Sequence, residues 1–408
     1  MTAEDEAAAP PPPPAPLTLR DPLPPVIEEP AALHAYAEAV AAGSGPVALD
    51  AERASGYRYS QRAYLVQVRR EGAGTALIDP IPFGDLGALD AAIGDAEWIL
   101  HAATQDLPCL AEVGLTPRRL FDTELAGRLL NLPRVGLASL VEHYLDRSLA
   151  KEHSAADWST RPLPEPWLVY AALDVEVLIE LRNLIAADLE KAGKAEWAAQ
   201  DFEALLSFTG VPPRVEPWRR TSGIHQARGR RALGVVRAVW EARDSIAAER
   251  DVTPGRILPD TSILEMARTP PSNLAELKQM KVMRNRGPRR FVSQWHDAIE
   301  RALAMSDAEL PGTSPRRDGP PPPRVWAEKF PEAAARLGRV REVVAALSQE
   351  HDLPVENLLA PQLVRGLAWD PPDDLSAASV GSVLASGGAR PWQVELTAAL
   401  LAEALSSD

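Results

Sequence analysis

Proline divides this chain in three places, where no long helix or central strand is expected. The ring holds φ near about −65° and removes the backbone N–H, so clustered prolines interrupt regular hydrogen bonding. The clusters are "PPPPPAP" at 10–16, "TGVPPRVEPWRRTSG" at 209–223 and "SPRRDGPPPPR" at 314–324. A chain of 408 residues suits two to four domains. The breaks predict a disordered tail over 1–25, a first domain over 26–208, a linker over 209–226, a second domain over 227–308, a linker over 309–324 and a third domain over 325–408.

Hydrophobic patterning differs between the parts. In the first, "AALHAYAEAVAAG" reads as a helix and "PVALDAE" as a strand. "AYLVQVRREGAGTALIDP" reads as a hairpin, and "EWILHA" as a short strand. "TQDLPCLAEVG" reads as a helix capped by Thr104 and stopped by Gly114. Strand and helix alternate through "RLFDTELAGRLLN" and "GLASLVEHYLD". The run "PEPWLVYAALDVEVLIELRNLIAADLEKAG" closes the unit near Phe208. Hairpin strands mixed with crossover helices predict an α/β domain with a mixed sheet.

Everything beyond residue 226 reads as helical, with an internal repeat at an offset of about a hundred residues. "ALGVVRAVWEARDSIAAERDVTPGRIL" is similar to "RLGRVREVVAALSQEHDLPVENLL", with Asp251 matching Asp352 and Pro254 matching Pro354. Two small all-α helical bundles are therefore expected. The net charge of −14 hides an asymmetry: residues 211–310 carry 18 Lys and Arg against 12 Asp and Glu, and the rest of the chain is at −20. A basic module beside an acidic one allows a nucleic-acid partner. The first bundle holds the strongest basic cluster, "KVMRNRGPRR"; the second has lost most of that charge. A single cysteine, Cys109, excludes an internal disulfide and a multi-cysteine zinc site. No apolar run reaches membrane-spanning length, and the first residues lack the pattern of a signal peptide, so a cytoplasmic protein without membrane contact is expected. The oligomeric state stays open, with a monomer favoured.

The chemistry-bearing residues come from three separated segments. Asp50 and Glu52 are two apart on the "PVALDAE" strand and share a face. Asp106 follows the "WILHA" strand, at a helix start. Tyr170 and Asp174 are one helical turn apart in "YAALD". Four carboxylates at one point repel unless cations neutralise them. Hard oxygen donors suit Mg²⁺ or Mn²⁺, and two such ions about 3.5–4 Å apart are a device for cutting a phosphodiester. Each piece alone also has a plain reading: a strand-end turn, a first-turn acid, a helix face with a tyrosine. His101 reads more simply as a packed histidine and Cys109 as a small buried side chain.

Taken in order, "LDAE", "HAATQDL" and "YAALD" resemble the three motifs of the DEDD exonucleases in their tyrosine-containing subclass. "KEHSAADWSTRPLPEPWLVYAALDVEVL" resembles the ribonuclease D family through Lys151, Asp157-Trp158 and Arg161-Pro162-Leu163. "VWEARDSIAAERDVTPGRILPDTSILEMA" is similar to an HRDC domain, and the second copy to a degenerate HRDC-like domain. The resemblance implies an RNase H-like (DnaQ-like) exonuclease domain. Asp50, Glu52, Asp106 and Asp174 would hold two divalent metals, Tyr170 would orient the attacking water, and Glu52 would also sit near the 3′-terminal hydroxyl. It implies 3′→5′ hydrolysis of RNA to nucleoside 5′-monophosphates, with structured precursors such as tRNA 3′ ends as substrates. Lys151, Arg284, Arg286, Arg289 and Arg290 are candidate phosphate contacts.

Two departures stand beside the acids. The family's aromatic after the D-x-E is Arg53 here, and its downstream Thr-Tyr pair reads "RYS" at 58–60. A DNA 3′→5′ exonuclease and an idle nucleic-acid-binding scaffold remain as alternatives at this point.

Overall fold

A computed structural model describes residues 13–150, 153–314 and 319–407. The strands are β1 (Ala15–Pro16), β2 (Val26–Ile27), β3 (Ser44–Arg53), β4 (Ala63–Glu71), β5 (Gly74–Ile78), β6 (Trp98–Leu100), β7 (Leu120–Asp122) and β8 (Arg147–Ser148). Six form one mixed sheet in the order β2-β5-β4-β3-β6-β7. β3 is its hub, antiparallel to β4 and parallel to β6.

Around the sheet lie α1 (Pro30–Ala42), α2 (Gly87–Ile93), α3 (Leu107–Glu112), α4 (Thr123–Leu129), α5 (Leu137–Leu145), α6 (Glu165–Glu176), α7 (Leu178–Lys191) and α8 (Ala195–Leu205). Side chains of β3 alternate between two layers, as the pleat requires. Val47, Leu49 and Ala51 join the core built with α1, α2 and α3, whereas Ala48 joins the one built with α4, α5 and α7. Burial on both faces explains why "PVALDAE" shows no clean polar alternation. Asp50 and Glu52 continue the row begun by Ala48, which α6 and α7 cover.

Three expectations need correction. The chain from residue 13 to 25 is ordered: β1 pairs with β8, Leu17 N donates to Ser148 O, and Arg20 pairs with Glu176 and Glu180. Leucines and an arginine after the prolines supply contacts that proline alone lacks; residues 1–12 lie outside the described residues. Thr104 is not a helix cap. Ala102 adopts a left-handed φ of 58°, a 3₁₀ turn covers Ala103–Gln105, and α3 begins only at Leu107. The long run after Pro164 is broken at Val177 into α6 and α7.

The first helical module holds α9 (Gly229–Arg250), α10 (Pro254–Ile257), α11 (Asp260–Arg268), α12 (Leu274–Gln279), α13 (Arg286–Arg289) and α14 (Val292–Ala304). The second holds α15 (Trp326–Lys329), α16 (Pro331–Glu350), α17 (Val355–Leu358), α18 (Pro361–Trp369), α19 (Ala377–Ser386) and α20 (Pro391–Ser406). The repeat is visible in three dimensions. A long helix ends near a left-handed aspartate, Asp251 (φ 48°) or Asp352 (φ 49°). A four-residue helix and then a nine-residue helix follow in both copies. Among the described residues no helix is long and apolar enough to cross a membrane.

Both modules dock on the α/β domain through those aspartates. Asp251 accepts from Ser60 N (2.8 Å) and Tyr64 Oη (3.3 Å), and Thr253 N donates to Tyr57 O. Asp352 accepts from Asn131 Nδ2 (2.6 Å), and its carbonyl accepts from Lys194 Nζ (2.8 Å). Lys194 also donates to Leu129 O (2.8 Å), while Trp197 stacks on Trp392 with centroids 4.8 Å apart. The cation is buried, and charge-assisted bonds offset its desolvation.

Replacing Lys194 by Met keeps the stem but strands two carbonyls. We expect a loss of about 1–3 kcal/mol. Hydrogen exchange should speed up around the end of α16 and the start of α8. Unchanged protection there would show that the lysine does not fasten the second module.

Candidate active site

The acids converge as the spacing predicted, but not all to the same degree. Carboxylate oxygens of Asp50, Glu52 and Asp174 lie within 4.8 Å of one another. Glu52 is 8 % exposed and Asp174 7 %. A cavity of about 360 Å³ opens over them and is also lined by Arg53, His101, Asp106 and Tyr170. Asp106 shares the cavity without joining the tight triad; its charged partner is Arg53, with Nη2 3.8 Å from Oδ1. A larger open hollow of about 570 Å³ near Gly45, Glu97 and Arg119 lacks such convergence, and its Arg70 and Arg182 are already bonded to Gly45 O and Glu97.

Burial and mutual repulsion set the electrostatics. Desolvation raises the Asp50 carboxyl to about 6, against weaker lowering by the Ala51 N–H and Arg53. Desolvation also pushes Glu52 far up, and the carboxylates of Asp50, Asp174 and Asp106 add to it. Asp106 and Asp174 are raised well above the ordinary range, first by burial and then by Asp50. Tyr170, half-buried, lines the same cavity, and burial first, then the charges of Asp174, Glu52 and Asp50, raise its phenol. Such a cluster favours a dication strongly over protons only when its acids are ionised. The donor set of the triad, carboxylate oxygens alone, fits hard divalent ions.

Neighbouring elements hold this geometry. Asp122 Oδ1 accepts from Ala102 N (3.1 Å) and caps α4 through Glu124 N (2.8 Å); Oδ2 accepts from Ala103 N (2.8 Å). One buried carboxylate thus anchors the turn that delivers Asp106. Its signal in the sequence was an acid at a strand end followed by Thr-Glu, an N-cap pattern that the motif reading passed over. Trp158, fully buried, packs 6.4 Å from the Tyr170 ring. Arg161 donates to Asp79 (2.5 Å), Trp158 O and Tyr64 O (both 2.8 Å), tying the "DWSTRPL" loop to β4 and to the end of β5. Glu176 meets Arg69 at 3.2 Å, fastening the end of α6 to β4. Gln67 was also missed: it pairs with Asp50 across β3 and β4, is completely buried, and neither amide atom has a protein partner. A glutamine in "YLVQV" was the only hint.

The other candidates fall into place separately. His101 is half-buried, its Nδ1 2.9 Å from Thr123 Oγ1, and burial lowers it to about 4. Cys109 is buried and donates to Asp106 O. Lys151 lies outside the described residues. Arg284, Arg286, Arg289 and Arg290 are all exposed and, among the described residues, form no ion pair with an acid. They stand on the first module, well apart in sequence from the acids. The "RYS" departure turns out to belong to domain docking: Tyr59 Oη donates to Asp244 (3.1 Å) and Ser60 N to Asp251.

The raised acids carry a pH prediction. A carboxyl held protonated by burial must lose its proton to bind a cation, so Mn²⁺ affinity should climb as pH rises through about 6, the value for Asp50. Without added metal the sign reverses for stability. The raised carboxyl contributes stability that is complete below its ordinary 3.8 and is lost as pH rises through about 6. Calorimetry and thermal melts from pH 5 to about 8 would check both; Mn²⁺ affinity flat across that range would contradict the assignment.

Comparisons with known proteins agree with this fold. A family model described as 3′-5′ exonuclease matches residues 24–190, an HRDC domain model matches 232–299, and a model described as 3′ to 5′ exonuclease C-terminal domain matches 319–405. The chain is 30% identical over 335 residues to ribonuclease D of Gluconacetobacter diazotrophicus, covering 81% of this chain and 82% of that one. It is 29% identical over 283 residues to ribonuclease D of Jannaschia sp., covering 67% and 72%. Among solved structures, a protein from Bifidobacterium adolescentis superposes with a TM-score of 0.89 at 40% identity, covering 97% of this chain and 100% of that one. Escherichia coli RNase D shares the fold with a TM-score of 0.66 at 24% identity, covering 93% and 98%. With its exonuclease domain, its two helical modules in order and this extent of match, the chain belongs to the ribonuclease D family.

Proposed function

We propose that this 3′→5′ exoribonuclease trims unpaired 3′ ends of structured RNA, tRNA precursors among them, and releases nucleoside 5′-monophosphates. The observation that carries the reading is the convergence of Asp50, Glu52 and Asp174 within 4.8 Å, in one cavity with Asp106 and Tyr170. Two dications, Mg²⁺ or Mn²⁺, would be held by Asp50, Glu52, Asp106 and Asp174. When bound, they supply an activated water and neutralise charge on the leaving oxygen.

The chain's own groups set up the rest. Tyr170 sits one helical turn before Asp174 and lines the same cavity, so its hydroxyl is assigned to orient a water beside that carboxylate. Glu52, at the end of β3, is assigned to the 3′-terminal hydroxyl. His101 is too weak a base to take a proton at neutral pH, because burial lowers it to about 4. The exposed arginines Arg284, Arg286, Arg289 and Arg290 are assigned to RNA phosphates. Their module docks on the loop that follows β3, which would bring bound RNA toward the acids. E. coli RNase D, of the same fold, is described as an exoribonuclease involved in structured RNA processing, which supports a structured substrate.

The test uses 5′-labelled RNA carrying a hairpin and a single-stranded 3′ extension, with Mn²⁺ and a matched DNA control. We expect a ladder shortened one nucleotide at a time on RNA, stalling near the hairpin. Tyr170→Phe should lower kcat by about a hundredfold with Mn²⁺ affinity within about twofold of wild type, since the phenol is assigned to water rather than metal. Activity surviving in Asp50→Ala or Asp174→Ala would refute the metal site. Equal cleavage of the DNA control would refute RNA selectivity.

A further inference from the structure

Arg53 occupies an unexpected place. Residues on a regular strand alternate faces, so Arg53 should point away from the side shared by Asp50 and Glu52. The ladder slips at this point: Glu52 pairs with Leu65 and Arg53 with Ala63, leaving Tyr64 without a partner. Such a bulge kinks the ladder and re-aims the side chains beside it. The slip is held in place from outside. Tyr64 O accepts from Arg161 Nη2 (2.8 Å), and Tyr64 Oη donates to Asp251 of the first helical module. As a result the guanidinium lines the acid cavity and stands 3.8 Å from Asp106 Oδ1.

That distance is an ion pair without a hydrogen bond, so the guanidinium is not locked to its partner. Its side chain is 25% exposed, against 6% for that of Asp106, which puts it at the mouth of the cavity. No other Lys or Arg is among the described residues lining it. Four carboxylates and two dications would cancel, leaving Arg53 as the net charge that the described lining residues present to an arriving polyanion. An arginine in that position offers a planar fork suited to phosphate oxygens.

We propose that Arg53 is a phosphate-binding residue of this site: it pairs with Asp106 in competition with a divalent cation, and once cations neutralise the acids it takes a phosphate oxygen at the RNA 3′ end. The substrate half of this proposal rests on the nuclease reading above; the competition half does not. The two halves predict opposite signs for one substitution. Removing the guanidinium relieves competition for Asp106 and tightens metal binding, yet removes a phosphate contact and weakens RNA binding. A residue needed only for packing would weaken both.

The experiment compares full-length wild type, Arg53→Gln and Arg53→Lys. Calorimetry with Mn²⁺ alone should show Arg53→Gln binding about tenfold tighter than wild type, from loss of a cation near the ligands. With a single-stranded oligoribonucleotide, Arg53→Gln should raise KM about tenfold while kcat stays within about threefold, because the contact is made before and during the reaction alike. The dependence of log KM on log salt should flatten by about 0.7, one phosphate contact on a single strand. Arg53→Lys should keep the wild-type salt slope and an intermediate KM. Mn²⁺ binding unchanged or weaker in Arg53→Gln overturns the competition, and an unmoved KM and salt slope overturn the phosphate contact. Wild-type protein inactive on RNA would instead strike the functional reading, leaving the Mn²⁺ comparison to judge the ion pair.

Discussion

The repulsion among buried carboxylates is the constraint around which this molecule is organised. Asp50, Glu52 and Asp174 lie within 4.8 Å of one another, and desolvation raises each of them. Left to themselves, such groups would splay apart or take up protons. The surrounding structure prevents the first. β3 is clamped between two ladders, α6 is tied to β4 by Glu176 and Arg69, and the turn before Asp106 hangs from the Asp122 carboxylate. The energy of holding acids together is met by ordinary packing elsewhere, which leaves the site prepared for cations.

The "DWSTRPL" loop illustrates how that preparation is built. Trp158 supplies a buried wall beside Tyr170, and Arg161 donates to Tyr64 O, the carbonyl of the bulged residue in β4. Its residues are therefore structural neighbours of the chemistry, which explains why a stretch without a metal ligand carries so specific a resemblance. The bulged residue also donates its Tyr64 Oη to Asp251, so one local irregularity serves the acid-bearing strand and the docking of a module.

The two helical modules show one device used twice. Each ends its long helix near a left-handed aspartate, a conformation that exposes a short acceptor at a helix end. Asp251 takes Ser60 N and Tyr64 Oη, and Asp352 takes Asn131 Nδ2. The duplicated bundle kept its docking residue while its basic surface diverged. Only the first copy retains the exposed arginines at 284–290, so the copies differ in the partner that their free faces suit.

Much of this was legible in the chain itself. Proline placement marked the modules, period-2 spacing put Asp50 and Glu52 on one face, and a one-turn spacing joined Tyr170 to Asp174, because those relations are local and follow from backbone geometry. Sequence alone could not show that Asp106 stands apart from the tight triad beside Arg53, that Asp122 carries the turn, or that Gln67 lies opposite Asp50. It also misplaced the order of residues 13–25 and a cap at Thr104. Those facts depend on contacts between residues far apart in the chain. A ladder slip at Arg53 is settled by Arg161 and Asp251, some hundred and two hundred positions away, and no spacing rule within one segment can register such partners.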